Sequence, residues 1–204
     1  MSAPRWTMIR DGELTDVRIY VPVPAADADY EWALPVRDEP GPNPLRIFTT
    51  ELLAPTWSPP LVTLLHEDEG VQLRRADFPW VGWNAIVMRP EAVAVVAPLV
   101  QGHAELLPLA CEEADLALLH VTDERDALDE DASDIVRFPT GRILTVRRYG
   151  MRSAALEGAR CFKLPQMATG PVFLTGDVID AVQAAGLVGL GAELVWQDDG
   201  SEGR

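Results

Sequence analysis

The stretch Phe173–Leu190, FLTGDVIDAVQAAGLVGL, decides between two architectures. A short apolar run meets Thr-Gly-Asp, and a helical pattern follows as far as Gly186. Strand, glycine turn and helix is the order of a phosphate-binding loop in a doubly wound sheet. It is also the order of a capped helix set between two strands of an α+β fold. The glycine spacing separates the two readings. A P-loop needs Gly-x-x-x-x-Gly-Lys-Ser/Thr, and the chain contains no such run. GLVGLG (Gly186–Gly191) has its glycines in the reverse of the dinucleotide order, and it follows a helix instead of opening one. The glycines therefore read as a helix C-cap and a tight connection into a strand. Thr175 fits an N-cap, with Asp177 complementing the helix dipole. Val178, Val182 and Ala185 share one face with Ile179 beside them, which is a core-facing pattern.

Working outward, short strands dominate. ARCFKL (Ala159–Leu164) and PVFLT (Pro171–Thr175) precede the helix, and AELVW (Ala192–Trp196) follows it. DIVRFP (Asp134–Pro139) and GRILTVRRY (Gly141–Tyr149) read as a β-hairpin or meander around Pro139-Thr140-Gly141. HAELLPLA (His103–Ala110) and DLALLHVT (Asp115–Thr122) read as paired strands. NAIVM (Asn84–Met88) is a strand leading into a helix opened by Pro90, with Glu91 in its first turn. The first sixty residues are Pro-rich. There VRIYVPVP (Val17–Pro24) alternates as a strand, and its prolines point to an edge position. DEPGPNP (Asp38–Pro44) is a turn-rich loop. LRIFTT (Leu45–Thr50) is a short strand or a helix lead-in. APTWSPPLVTLLHEDEG (Ala54–Gly70) fits helix or strand equally. The expected class is α+β: mostly antiparallel sheet of short strands with about two to four short helices. The organisation expected is a Pro-rich part over 1–84 packed on the rest, an α+β region over 85–197, and a frayed 198–204, as a single compact unit.

Composition limits the function. The chain has 204 residues, enough for a real core, and six Trp, which argues against disorder. Its net charge of −15, from 17 basic and 32 acidic residues, repels phosphate backbones and anionic membrane surfaces. No nucleic-acid or membrane partner is expected. The start lacks a basic-then-apolar signal pattern, and the run Ala92–Val100 is too short to cross a bilayer. Cys111 and Cys161 make no disulfide framework and read as buried free thiols. A cytoplasmic protein is expected.

The charge is uneven. Residues 112–134 hold ten acids and one base, a block of −9, whereas 137–163 hold seven bases against Glu157. The two blocks either pair within the fold, or the acidic loop faces a basic partner. HEDE (His66–Glu69) is not His-Glu-x-x-His, and consecutive residues of an extended chain do not converge on one ion. The run Asp123–Asp134 lacks the glycine and the alternating oxygens of a calcium loop. No Gly-x-Ser-x-Gly occurs, and nothing visible activates a thiol near His66, His103 or His120. No cofactor, metal or catalytic residue is assigned. DFPWVGWN (Asp77–Asn84) groups Phe78, Trp80 and Trp83, either as core anchors or as a binding surface, since Trp is enriched at interface hot spots.

The second half resembles a bacterial family first known as a domain of unknown function. That family is described as immunity proteins of polymorphic toxin systems and is named after a myxobacterial member. DALDEDAS (Asp126–Ser133) resembles its Asp-x-Leu-Asp-x-x-x-Ser segment, and CFKLP (Cys161–Pro165) its Phe-Lys/Arg-Leu step. VFLTGDVIDAVQAAGLVGLGAE (Val172–Glu193) resembles its closing strand, capped helix and Gly-Leu-x-Gly turn. MRPEAVAVVAPLV with AELLPL (Met88–Leu109) fits its helix-then-strand lead-in. The resemblance covers roughly 85–196, and weakly IYVPVPAADADYEW (Ile19–Trp32). The family's Ser/Thr-Glu-Glu helix start is TGD here, and the Pro-rich first third matches poorly.

The resemblance implies a non-enzymatic protein that binds and neutralises a cognate toxin. An acidic inhibitor gains on-rate against a basic toxin encoded nearby. The residues expected to carry contacts are Asp123, Glu124, Asp126, Asp129, Glu130, Asp131 and Asp134, with Glu67, Asp68, Trp80 and Trp83 as lesser candidates. Two other classes stay open: a metal-dependent enzyme using the acidic cluster, and an oligomerising structural or regulatory domain. The oligomeric state is not determined by the sequence.

Overall fold

The computed structural model describes residues 17–36, 43–82, 85–167 and 169–198. The chain first runs through β1 (Arg18–Pro24), β2 (Trp32–Pro35), β3 (Val62–Leu65), β4 (Glu67–Asp68), β5 (Val71–Gln72) and β6 (Ile86–Met88). Helix α1 (Pro90–Val100) comes next, followed by β7 (Ala104–Leu109), β8 (Leu116–Val121), β9 (Asp134–Arg137) and β10 (Ile143–Arg148). The last elements are β11 (Cys161–Phe162), β12 (Phe173–Thr175), α2 (Gly176–Ala184) and β13 (Leu190–Gln197). Every pairing between these strands is antiparallel. The order is β11-β12-β1-β13 in one sheet and β6-β8-β7 in another, with β2-β3, β4-β5 and β9-β10 as two-stranded pairs. With two α-helices and a few 3-10 turns among the described residues, the architecture is α+β in character.

The β6-β8-β7 sheet shows how sequence period becomes layering. Side chains alternate across a strand. Ile86, Met88, Leu119 and Val121 therefore face one way, onto Ala92, Val96 and Val100 of α1 and Val178, Ile179 and Val182 of α2. Val87, Leu107, Leu109 and Leu118 face the other way, onto Ala33 of β2, Leu45 and the β3 residues Val62 and Leu64. A sheet covered on both faces needs near-continuous apolar strands, which is how IVM and LALLHV read. A third cluster, with Ile19, Leu128, Phe162 and Phe173 fully buried, packs the β9-β10 side against the four-stranded sheet.

Several local expectations change. β1 is an interior strand at Ile19–Tyr20, where β12 flanks it, and an edge only at Pro22–Pro24, where β13 alone pairs with it. The prolines thus sit where one side needs no N–H donor. LRIFTT forms neither strand nor helix; Leu45 is buried, and the Lys163 side chain donates to the carbonyls of Ile47 and Thr49. Thr175 occupies the N-cap, but its hydroxyl donates to the Arg160 carbonyl at 3.0 Å and bonds the Asp177 carboxylate instead of capping the helix. Ala185 is exposed beyond the last helical residue, so the buried face is Val178, Ile179 and Val182. Gly186 has φ +66°, and Leu187 N–H donates to Val182 O at 3.3 Å, which closes the helix with a left-handed glycine cap. Gly189 has φ +98°, and a Cβ there would lie 2.6 Å from Ala76 Cβ. These glycines serve the backbone, not a phosphate.

One ion pair locks the N-terminal strands to this core. Arg89, the residue before α1, donates through Nη2 to Glu31 Oε1 at 2.6 Å, and their side chains are 10% and 2% exposed. Ala76 N–H donates to the same oxygen at 3.1 Å, and Arg89 Nε donates to Ala76 O at 2.9 Å. Arg89→Met would strand a buried carboxylate, with an expected loss of about 3–5 kcal/mol in urea unfolding. The double variant Glu31→Gln/Arg89→Met should recover part of that loss, since no unpaired charge stays buried.

Candidate functional site

The acidic run is anchored, not free. Ala127 and Leu128 are fully buried in the third apolar cluster, and Arg152 N–H donates to Ala127 O at 2.8 Å. Asp126 accepts Arg152 Nη2 at 2.7 Å, and Glu130 pairs with Arg137. Asp129 Oδ1 accepts the N–H groups of Asp131 and Ala132, both at 3.1 Å, and so shapes its own turn. Asp123 accepts both Arg125 Nε at 2.9 Å and His103 Nδ1 at 2.7 Å. Burial raises the Asp123 carboxyl, but Arg125 and His103 outweigh it and hold the group below its ordinary value. Part of the acidic block therefore pairs with the basic block that follows it. Glu124 lies within electrostatic reach of Lys163. Asp131 and Asp134 have carboxylates without a hydrogen bond or ion pair among the described residues.

Several groups with catalytic potential are also engaged in the fold. Lys163 is buried, which lowers its pKa, and Nζ donates to Ile47 O and Thr49 O, both at 3.0 Å. His120, 1% exposed, is 2.8 Å through Nε2 from Glu51 O. The Glu105 carboxylate accepts Leu53 N–H at 2.7 Å, and Trp57 Nε1 donates to Pro108 O at 2.7 Å. These four side chains strap the irregular segment 45–57 along the three-stranded sheet. Cys161 is fully buried, and burial with nearby Asp123 pushes its thiol up to about 12. Cys111 is half-buried, so only one of the two thiols is fully inside. His66 pairs with Glu113 at 2.7 Å and reaches Glu31 at 3.4 Å. Among the described residues no three His, Cys, Asp or Glu side chains converge as metal ligands. No described helix is long and apolar enough to cross a membrane.

HEDEG resolves into a hairpin. Glu67 and Asp68 lie in β4, and Glu69 (φ +48°) with Gly70 (φ +84°) form a two-residue turn of the primed kind favoured between twisted strands. Glu67 is bonded by Gln72 across this hairpin. Asp68 and Trp80 come together in a hollow of about 200 Å³ with Asp29, Tyr30 and Trp32. Phe78 is a core anchor, Trp80 is half-buried, and Trp83 lies outside the described residues. Trp32 is 41% exposed at this hollow. The Asp29 and Asp68 carboxylates have no partner among the described residues, and no basic residue lines the hollow. Unpaired carboxylates beside aromatic rings make a receptor for a cationic side chain. No residue of the acidic run lines it.

Sequence reasoning found Asp68 and Trp80 but missed Asp29, Tyr30 and Trp32. Their pattern, Asp-Tyr-Glu-Trp, was visible, but their meeting with β4 depends on the chain returning through Arg74–Trp80. It also missed a cleft beside β10, whose only trace in the sequence is the basic block 137–163. Compared with protein-family models and with curated proteins, the chain finds no match in either.

Two measurements separate structural from available groups. Asp129→Ala removes two turn-closing acceptor bonds and should cost about 1–2 kcal/mol in urea unfolding. Asp131→Asn should leave the midpoint unchanged. His120 supplies a pH test, because burial holds its folded-state pKa below the ordinary value. The unfolded chain then binds the proton first, so stability falls as pH drops below about 6.5 toward the folded value. Wild type should lose up to about 1.4 kcal/mol per pH unit more than His120→Gln, followed by unfolding at pH 7, 6 and 5.

Proposed function

We propose that this protein is a non-enzymatic binding protein of the immunity type, which neutralises a cognate toxin by covering its basic surface. The observation that carries the reading is the hollow at Asp29, Tyr30, Trp32, Asp68 and Trp80. It places two unpaired carboxylates and three aromatic residues at one concave point of a chain with net charge −15. Such a point suits the anchor of an interface, where Lys or Arg from the partner is desolvated against rings and meets opposite charge. Asp131 and Asp134 add long-range attraction that raises the association rate.

Two further points support the reading. The segments over 85–196 resemble the immunity family in order and spacing. The histidines, Lys163 and Cys161, which a catalytic reading would need, are engaged in hydrogen bonds or buried in apolar packing. The partner would be a basic toxin domain encoded beside this gene, and inhibition would be steric and electrostatic occlusion.

Co-expression with each adjacent toxin-like product, followed by tandem purification, tests the function. A stable complex and survival of a host expressing the toxin are expected. Absence of both with every neighbouring product would end this reading. Trp32→Ala and Asp68→Lys test the surface, because both positions are exposed. Each should weaken the complex by more than about tenfold without changing the melting temperature. An unchanged affinity in both would move the interface away from the hollow.

A further inference from the structure

A second concave surface carries the opposite charge. It is a cleft of about 540 Å³ bordered by β10, β13, Met167, Thr169, Gly170 and Pro171. Val21 of β1, Val195 of β13, Ile143 of β10, Tyr149 and Met167 line it and also pack on the third apolar cluster, so they give it an apolar base. Phe138, Leu144 and Leu194 line it too and remain 46%, 52% and 47% exposed.

Its charge is out of keeping with the rest of the molecule. Arg142, Arg147 and Arg148 line the cleft, and Glu193 is the single acid that does so among the described residues. None of the three arginine side chains makes a hydrogen bond or ion pair among the described residues, although the chain carries 32 acids. Other arginines of the same basic block, Arg137, Arg152 and Arg160, each hold a carboxylate. Burial, with Glu193 adding, pushes the Tyr149 phenol up to about 12, so it stays a protonated donor at neutral pH.

The bordering strands define the shape of the occupant. Among the described residues, β13 is the terminal strand of its sheet and pairs only with β1, over Leu190–Gln197. Among them β10 likewise pairs only with β9. Within the described residues each bordering strand thus keeps one edge without a strand partner, with main-chain donors and acceptors at the spacing of an added strand. A nucleic-acid strand would bring many phosphates against a chain of net charge −15, whereas a short peptide brings only a few carboxylates.

We propose that this cleft binds an extended acidic peptide segment of a partner protein. The segment lies along β10 and β13, its carboxylates on Arg142, Arg147 and Arg148 and its alternate apolar side chains on the base between them. Bidentate guanidinium–carboxylate contacts fix its register. This site is independent of the toxin-binding reading, because it shares no lining residue with the aromatic hollow.

The test is a random octapeptide display library panned against the full chain. Enriched peptides are then measured by fluorescence polarisation. Selection should favour acidic residues alternating with apolar ones. Affinity should fall at least tenfold in Arg142→Glu/Arg147→Glu/Arg148→Glu, and should be partly kept in the matching triple Lys variant. The Trp32→Ala and Asp68→Lys variants should bind these peptides as wild type does. All three arginines are exposed, and unchanged circular-dichroism melting of the triple variant confirms its fold. Amide shifts at Glu193–Val195 should accompany binding. Failure to enrich acidic sequences, equal binding by the charge-reversed variant, or tighter binding of oligouridylate than of any selected peptide would overturn the proposal.

Discussion

The pairing of Glu31 with Arg89 ties together several separate segments of this molecule. Its two carboxylate oxygens reach Arg89, the Ala76 N–H and His66, so one buried side chain meets three separate segments. The segment Arg74–Trp80 is held from both sides. Glu31 N–H donates to Arg74 O and Ala33 N–H to Trp80 O, while Arg89 N–H donates to Asp77 O. Asp77 then reaches forward, with its N–H donating to Val188 O and its carboxylate accepting Val188 N–H. The start of α1, the β2 strand and the approach to β13 are therefore fixed relative to one another. Burying two charges is costly in itself, and the close pairing with Arg89 and the Ala76 N–H offsets that cost.

The same economy explains why reactive-looking residues are structural here. The segment 45–57 has no regular ladder to satisfy its backbone, yet it runs beside a buried sheet. Lys163, His120 and Glu105 provide the missing partners at 3.0, 2.8 and 2.7 Å. A buried polar backbone needs such partners, because an unmade hydrogen bond there costs more than a made one returns. Lys163 is the one Lys of the chain, and it is placed where a flexible point donor can serve two carbonyls at once.

Charge is sorted in space as it is sorted in sequence, but not by simple blocks. The acidic run and the basic run meet through Asp126–Arg152 and Glu130–Arg137, and so cancel part of each other. Other charges stay unpaired among the described residues. Negative charge remains beside aromatic rings at Asp29 and Asp68, and positive charge remains over an apolar base at Arg142, Arg147 and Arg148.

Local patterns were sufficient for much of the fold. Pro90 with Glu91 opened α1, Gly186 closed α2, and the apolar runs His103–Ala110 and Asp115–Thr122, read as paired strands, form an antiparallel pair. The hairpin around Pro139-Thr140-Gly141 was equally legible. These features are set by interactions within a few residues, or between strands adjacent in sequence. Pairing of the acidic with the basic block was one of two open alternatives, and Asp126–Arg152 and Glu130–Arg137 realise it in part. The irregular course of LRIFTT and the placing of β1 between β12 and β13 were not legible. Both depend on partners more than ten residues away, across a contact that no local period encodes. The hollow at Trp32 and Trp80 and the arginine cleft belong to the same group. The sequence by itself determined which residues could form strands, caps and core. Only tertiary structure decided which charges were neutralised inside the fold and which were left facing out, because pairing depends on distance in space and not along the chain.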